Sequence, residues 1–480
     1  MVFGRVSPAP VGAAQPLPWP KIIAWSIGTV GPVTLLYLVS SAYLFFMTDL
    51  MAMSGAIAGA LIFVVRLSDM FADPIMGYVS DRTESRMGRR RPWMLVGAIA
   101  MTLGCIGLFT LPTDIATRGG GPLIGWTLAA LLVYFGGYTM FNVPYMAMPA
   151  EMTDNFQDRT RLMSARVVFV SLSSLLGAAL APRLIDAFGS GVRSYEITSW
   201  VIGGIGLIAT LVCVLSTGTA RATAATPVTM PMLAQMRVAF SNQPFMTLIL
   251  TKLLLLLAMS SITTTMFFFV RHVLNRELAV ASNIALAQTI GMLVVLPVWV
   301  WLAKRFRKQH LFMVASAGST IVLLTWMVAT AVEPTVLLLL RAFALGVFAG
   351  GSLLMGQSML PDTMDFDYRR SGLRREGAYS GIYSMVEKAG FAFGPLLIGG
   401  LLSLAGYVGS RPGEAQLALS GDARLAVYLG VSLIPAIATA SCILVLRNYT
   451  LTEEQLQAMS PPSLPAGSPQ SPVTATVIGS

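Results

Sequence analysis

Apolar residues in this chain come in long unbroken runs, and the charged residues gather in the gaps between them. Twelve runs stand out, near 22–47, 51–80, 93–112, 123–149, 163–188, 197–217, 245–270, 278–302, 311–331, 335–360, 381–408 and 422–446. Each reaches the roughly 20 residues that a helix needs to cross a hydrocarbon core about 30 Å thick. Buried strands are much shorter, so the pattern is helical throughout. The longest polar interruption, Ser216 to Asn242, follows the sixth run and divides the chain six and six. The halves also repeat each other. MPAEMTDNFQDRTRLMSAR (148–166) follows the fourth run, and LPDTMDFDYRRSGLRREGAYS (360–380) follows the tenth. Both open with Pro and an acidic residue and end in an Arg-rich helix start. The predicted fold is an all-α membrane protein, with twelve transmembrane helices in two six-helix bundles and a substrate path between them.

This places a cytoplasmic segment at 1–20, bundles at 21–217 and 244–448, a cytoplasmic linker at 218–243 and a cytoplasmic tail at 449–480. The tail, with SPPSLPAGSPQSPV at 460–473, is expected to be disordered. Composition agrees with a membrane protein. Of 480 residues 55% are hydrophobic and 11% charged, where a soluble domain carries about 25% charged residues. The net charge of +10 does not imply nucleic acid, because the basic residues sit in alternate loops. One set holds Arg82, Arg86, Arg89, Arg90, Arg91, Arg159, Arg161, Lys304, Arg305, Arg307, Lys308, Arg369, Arg370, Arg374 and Arg375. The other holds little beyond Arg118, Arg193, Arg271, Arg276 and Arg411. The positive-inside rule then puts both termini in the cytoplasm, in the inner cell membrane. The proline-rich N-terminus has no cleavable-signal pattern, so the first helix is expected to direct insertion. Cys105, Cys213 and Cys442 lie in apolar runs and read as small buried hydrophobes. No nucleophile elbow, phosphate-binding loop or metalloprotease motif is present, so neither an enzyme nor an ATP-driven pump is expected, and no cofactor.

The chemistry concentrates in RLSDMFADPIMGYVSDRTESRMGRRRPW (66–93). Arg66, Asp69 and Asp73 share one helix face, with Asp73 and Asp69 roughly 12 and 18 Å inside the end at Asp81. Carboxylates near the midplane cost about 2.5–3.5 kcal/mol each on insertion scales and usually serve a function. Arg66 and Asp69 are spaced for an i,i+3 ion pair, but one Arg cannot neutralise two acids. The excess negative charge suits a proton or Na⁺. The loop Gly77, Asp81, Arg82, Arg86, Gly88, Arg89, Arg90 and Arg91 reads as a conformational latch, with Gly77 allowing close helix approach and Asp81 capping a helix. Arg374 and Arg375 are its counterparts in the second half. In the fourth run, Tyr138, Asn142 and Tyr145 share a face and Thr139 precedes Asn142. Rings around an amide suit a sugar, and interhelical bonding around Pro144 fits the spacing equally. In the eleventh run, Tyr383, Ser384, Glu387 and Lys388 are assigned to the substrate cavity together with Arg166. Glu387 and Lys388 point about 100° apart, so Lys388 is expected to meet an acid of the first half. His272 and His310 look isolated, and Lys252 reads as a snorkelling residue.

At these residues the sequence resembles the glycoside–pentoside–hexuronide:cation symporter family, the melibiose permease branch of the major facilitator superfamily. The likeness rests on 66–97 and on DTMDFDYRRSGLRREGAYSGIYSMVEKAGFAFGPLLIGGLLSLAGY (362–407), and it extends over most of 20–448. It implies that Asp69 and Asp73 ligate the coupling cation with Thr139, and that Arg166 and Lys388 stand near the sugar. Asn142 takes the place of a sugar-binding aspartate, Val33 or a neighbour stands where a second is found, and Ala72 replaces an asparagine that helps hold Na⁺. A lost oxygen ligand harms a metal ion more than a proton, which favours H⁺. The resulting expectation is an H⁺- or Na⁺-coupled symporter for a sugar or glycoside, monomeric in its membrane lipids. The alternatives are a carrier of lysophospholipids or another amphiphile, and a non-transporting membrane receptor.

Overall fold

The computed structural model describes residues 17–153, 156–217, 240–371, 376–409, 419–451, 455 and 459. Arg374 and Arg375, the linker from 218 to 239 and almost all of the tail lie outside these residues. Twelve helices are long and apolar enough to cross a membrane: α1 (Trp19–Leu50), α2 (Gly55–Asp81), α3 (Arg91–Phe109), α4 (Gly120–Pro149), α5 (Arg161–Ala187), α6 (Val192–Ser216), α7 (Gln243–Val273), α8 (Ala279–Ala303), α9 (Lys308–Val328), α10 (Thr335–Ser371), α11 (Gly381–Leu404) and α12 (Gly421–Leu446). They match the twelve apolar runs to within a few residues at most ends. The exception is α10, which continues about 11 residues past the end of its run, through Pro361 and a charged segment. At 1.5 Å per residue it is roughly 55 Å long, well beyond a hydrocarbon core. Ion pairs stabilise the extension: Arg369 reaches Asp365 one turn back at 2.8 Å, and Lys308 reaches Asp362 at 2.7 Å.

The bundles meet along two seams. On one flank α2 packs on α11 backbone to backbone: a Cβ on Gly55 would stand 2.7 Å from the Gly399 carbonyl oxygen, and one on Gly59 would strike the Pro395 carbonyl. Ser403 bonds Ser54 at 3.1 Å and the Ala56 amide at 2.8 Å. On the other flank α5 meets α8, where Ser282 donates to the Ala179 carbonyl at 2.7 Å and Arg183 to Asn283 at 2.9 Å. Between the seams Phe45 packs edge-on against Phe268, with centroids 4.9 Å apart.

His272 is not isolated. It lies in a π-helical turn at the end of α7 and contacts Asp49, in the matching turn of α1, at 2.7 Å. The Tyr407 hydroxyl donates to the same carboxylate. The sequence could not reveal this trio, because its members come from both bundles. Among the described residues, hydrogen bonds, ion pairs and ring contacts between the bundles run from the level of Asp73 to the Gly55 end of α2. Toward the Asp81 end, the ion pairs of Arg89 and Arg90 with Glu151, Lys308 with Asp362 and Arg369 with Asp365 each lie within one half.

A side chain at Gly59 must push α2 off α11, at a cost of about 1–3 kcal/mol. The expected result for Gly59→Leu is faster thiol labelling of a Ser54→Cys reporter and a lower melting temperature. Unchanged labelling would show that the seam does not hold this end shut.

Candidate functional site

Asp69 and Asp73 project from α2, one turn apart, toward α4 and α11. Lys388 of α11 crosses between the bundles and places its Nζ 2.7 Å from Asp69 Oδ2 and 2.7 Å from Asp73 Oδ1. Thr139 of α4 donates to Asp69, and its hydroxyl lies 3.2 Å from Asp73 Oδ1. Asp69 is almost wholly buried, whereas 32% of the Asp73 side chain is exposed. Asp73 is therefore the open side of the cluster. Two carboxylates here contact one ammonium directly, and the Arg66 guanidinium lies within electrostatic reach of Asp69. Side-chain oxygens converge from three groups, and Ala72 adds none.

Arg66 does not make the expected pair with Asp69. Its guanidinium donates to Ser40 Oγ at 3.1 Å and lies over Phe135 at 5.1 Å and Phe391 at 5.8 Å. Lys388, arriving from the other bundle, takes the carboxylates instead, and the aromatic faces hold the arginine by cation–π attraction.

The residues expected to bind solute fall into two groups, Tyr138, Tyr383 and Glu387 near the charged cluster and Tyr145 beside Arg166. Tyr138 stands beside the cluster, its ring centroid 6.0 Å from Lys388 Nζ. Asn142 is half-buried and makes no hydrogen bond among the described residues. The buried Nε of Arg166 has no hydrogen-bond partner, while its side chain interacts with Tyr145. Tyr145 requires a correction: it is fully buried, stacked on Trp25 at 4.7 Å and on Phe141 at 5.5 Å, with its hydroxyl on the Trp25 carbonyl. Its aromatic surface is used up in packing, which removes it from the cavity. Ser384 is exposed.

Glu387, 52% exposed, pairs with Lys252 of α7 at 2.9 Å, and that ammonium sits 3.0 Å from the Tyr383 ring centroid. Lys252 is thus an inward-facing member of the charge network and does not snorkel. The available signal was Glu387 itself, an acid in a spanning helix that its neighbour Lys388 could not satisfy.

The basic loop after α2 is tied to its own bundle. Arg89 meets Glu151 at 2.6 Å, and Arg90 meets the same carboxylate and Asp81 at 3.0 Å. Arg91 donates to the Val214 and Leu215 carbonyls that end α6, at 2.7 and 3.3 Å. Arg82 lies over the Tyr78 ring at 3.9 Å, and Arg86 is exposed. Gly88 adopts φ +86°, which favours glycine in this tight turn. Two details depart from expectation. Asp81 pairs with Arg90 and caps no helix, and a Cβ on Gly77 would meet nothing closer than Val143 at 3.9 Å. No close helix approach depends on Gly77 here.

A cavity of about 220 Å³ lies on the other flank, between α7, α8 and α10, with α1 and α5 facing it. None of the residues that the sequence pattern assigns to the solute lines it.

A family model described as MFS/sugar transport protein matches residues 24–453. The chain is 26% identical to the isoprimeverose transporter of Lactiplantibacillus pentosus, covering 85% of each chain. It is 24% identical to the glucuronide carrier protein homolog of Escherichia coli, over 92% of this chain and 95% of that one. Against the sodium-dependent lysophosphatidylcholine symporter 1 of Mus musculus the identity is 22%, over 83% and 79%. In fold it is similar to a D-xylose-proton symporter, with a TM-score of 0.63 at 12% identity over 90% of this chain and 97% of the other. These matches add a family to the twelve-helix, two-bundle fold: the chain belongs to the MFS/sugar transport proteins, as a glycoside–pentoside–hexuronide:cation-type symporter of the major facilitator superfamily, and is a multi-pass membrane transporter of a small solute, not an enzyme.

Proposed function

We propose that the chain imports a sugar or glycoside together with H⁺, or with Na⁺, by alternating access across the inner cell membrane. The observation that carries this reading is the bridge from Lys388 to Asp69 and Asp73. The bridge puts one ammonium on two carboxylates at a site shared by both bundles, with Arg66 within electrostatic reach of Asp69. A proton or Na⁺ arriving at the partly exposed Asp73 would compete with Lys388 for the carboxylates. With the basic loops in the cytoplasm, the described conformation opens inward. Lys388 then occupies the carboxylates after the cation has left, and keeps the cluster near neutrality while the carrier returns. On the outward side an arriving cation takes over part of that role, and closure around solute follows. Asp69, Asp73 and Thr139 hold five side-chain oxygens, two of them already bonded to Lys388, and Ala72 adds none, a set that supports H⁺ over Na⁺. We take the basic loop, with Arg89 and Arg90 held on Glu151 and its turn shaped by Gly88, as a latch of the inner face when the carrier opens outward, with Arg374 and Arg375 as its sequence counterparts in the second half. The likeness to a lysophosphatidylcholine symporter supports a second reading, an amphiphile carrier of the same fold.

Asp73→Asn is expected to abolish cation-driven accumulation while solute exchange persists. Undiminished accumulation would remove Asp73 from coupling. Lys388→Met leaves the buried Asp69 and the partly exposed Asp73 without their contacting counter-ion, a loss of up to about 3–5 kcal/mol for the buried pair and less for the exposed one. Coupled uptake in that variant should fall by about tenfold or more. In right-side-out vesicles, a sugar should alkalinise an unbuffered medium if the cation is H⁺. A response confined to lysolipids would instead favour the amphiphile reading, and ligand binding without flux would favour a receptor.

A further inference from the structure

The end of the carrier opposite the basic loops is closed by equivalent parts of the two halves. α1 and α7, the first helix of each half, both finish in a π-helical turn, Phe46–Leu50 and Phe269–Val273. Such turns are rare and recur at functional sites. Two residues beyond each turn the backbone takes a positive φ, 50° at Ala52 and 55° at Asn275. Asp49 and His272 hold the same, fourth position of their turns. The repeat thus sets an acid of one half against a base of the other, with His272 Nε2 2.7 Å from Asp49 Oδ1. Tyr407, just beyond α11, donates to the same carboxylate, and its oxygen lies 3.3 Å from His272 Nε2. A Cβ on Gly409 would strike the Thr48 carbonyl, so the segment after Tyr407 rests directly on the α1 backbone. The Asp49 and His272 side chains are buried, and the rings of Phe45 and Phe268 pack against His272 and Tyr407. Among the described residues the other titratable or charged groups nearby are Arg271 of α7, Tyr195 of α6 and Asp186 of α5. Arg271, Asp186 and Asp49 all lie within electrostatic reach of Tyr195.

Resting on the inward-open orientation read above, we propose that Asp49, His272 and Tyr407 form a second proton-binding site, separate from Asp69 and Asp73, whose loading from outside locks the outer mouth. Imidazole is the side chain whose charge ordinarily changes between about pH 5 and 8. Unprotonated, it shares the Asp49 carboxylate with the Tyr407 hydroxyl as a neutral donor. Protonated, it holds that carboxylate by a charge-assisted bond, roughly twice as strong as a neutral one. The gain exists only while the two turns are seated together. Once the bundles part, water solvates the carboxylate and either form of the ring. External protons therefore favour the closed mouth and slow the return to the outward state. An acidic outside, which supplies the most protons to Asp69 and Asp73, also delays the step that exposes those residues.

The test uses the full chain in right-side-out vesicles, with equal pH on both sides and no solute. The reporter is Ser41→Cys, about 12 Å inside Asp49 at the helix rise, read with a membrane-impermeant maleimide added outside. Cys105, Cys213 and Cys442 are buried and give little background. His272→Gln keeps a donor in place and removes the titration. Dividing its labelling rate by that of the chain with His272 intact cancels the thiol's own pH dependence. The ratio should be about 1 near pH 8 and rise to about 10 near pH 5. Asp49→Asn, which cannot form the ion pair, should give the same rise and carries the test if His272→Gln is unstable. The rise should persist with Asp73→Asn added throughout. A flat ratio in both variants, or a rise that disappears with Asp73→Asn, would overturn the second site. A rise read only in inside-out vesicles would overturn the outer lock and the inward-open orientation together. Solute accumulation in the same vesicles separates this site from the symporter reading. Accumulation with a flat ratio refutes the site and leaves the symporter; a rise without accumulation refutes the symporter and leaves the site.

Discussion

The ammonium of Lys388 between Asp69 and Asp73 is the interaction on which the arrangement depends. All three charges lie on helices that must cross a low-dielectric layer, where an unbalanced charge costs several kcal/mol. Neither bundle balances its own. The first half holds two acids here, and Arg66 of the same helix is turned to Ser40 and two aromatic rings. The second half supplies the lysine. The bundles are thus joined by an electrostatic need that one lysine meets by direct contact, with Arg66 acting on Asp69 from a distance. A second pair, Lys252 with Glu387, satisfies itself within the second bundle and leaves Lys388 for this crossing.

The remaining polar groups divide by location. Basic residues at the Asp81 end are absorbed within the first bundle, where Glu151 accepts from both Arg89 and Arg90. At the opposite end, Asp49, His272 and Tyr407 join the bundles across the aromatic contact of Phe45 with Phe268. Neutral hydroxyls and the Gln288 amide are grouped on the flank away from the acids. The charged cluster and the uncharged cavity are therefore separated in space, though both lie between the same two bundles.

Much of the architecture was legible in the sequence because a bilayer imposes a length: twelve runs of about 20 apolar residues leave little freedom. The cross-bundle partner of Lys388 was legible by charge arithmetic. Other features were not. The end of α10 looked like a loop because Pro361 and dense charge usually stop a helix, yet outside a bilayer spaced ion pairs extend it. His272 and Lys252 looked partnerless because their acids lie 223 and 135 residues away. Tyr145 was misplaced because helical spacing identifies a shared face but not what packs against it, and here the partners are Trp25 and Phe141. The neutral cavity left no motif, since it is assembled from single residues of several helices.

The backbone contacts of Gly55 and Gly59 with the Pro395–Gly399 segment bear on how such a carrier moves. A seam built from long side chains can yield by degrees, as rotamers change one at a time. A seam of bare backbone offers no rotamers to absorb strain, and its close contacts vanish within a small displacement. The α2–α11 contact is accordingly bistable, either fully seated or parted, and intermediate openings gain little from it. Such a junction acts as a snap fastener, and it gives the carrier two discrete states without a dedicated lid.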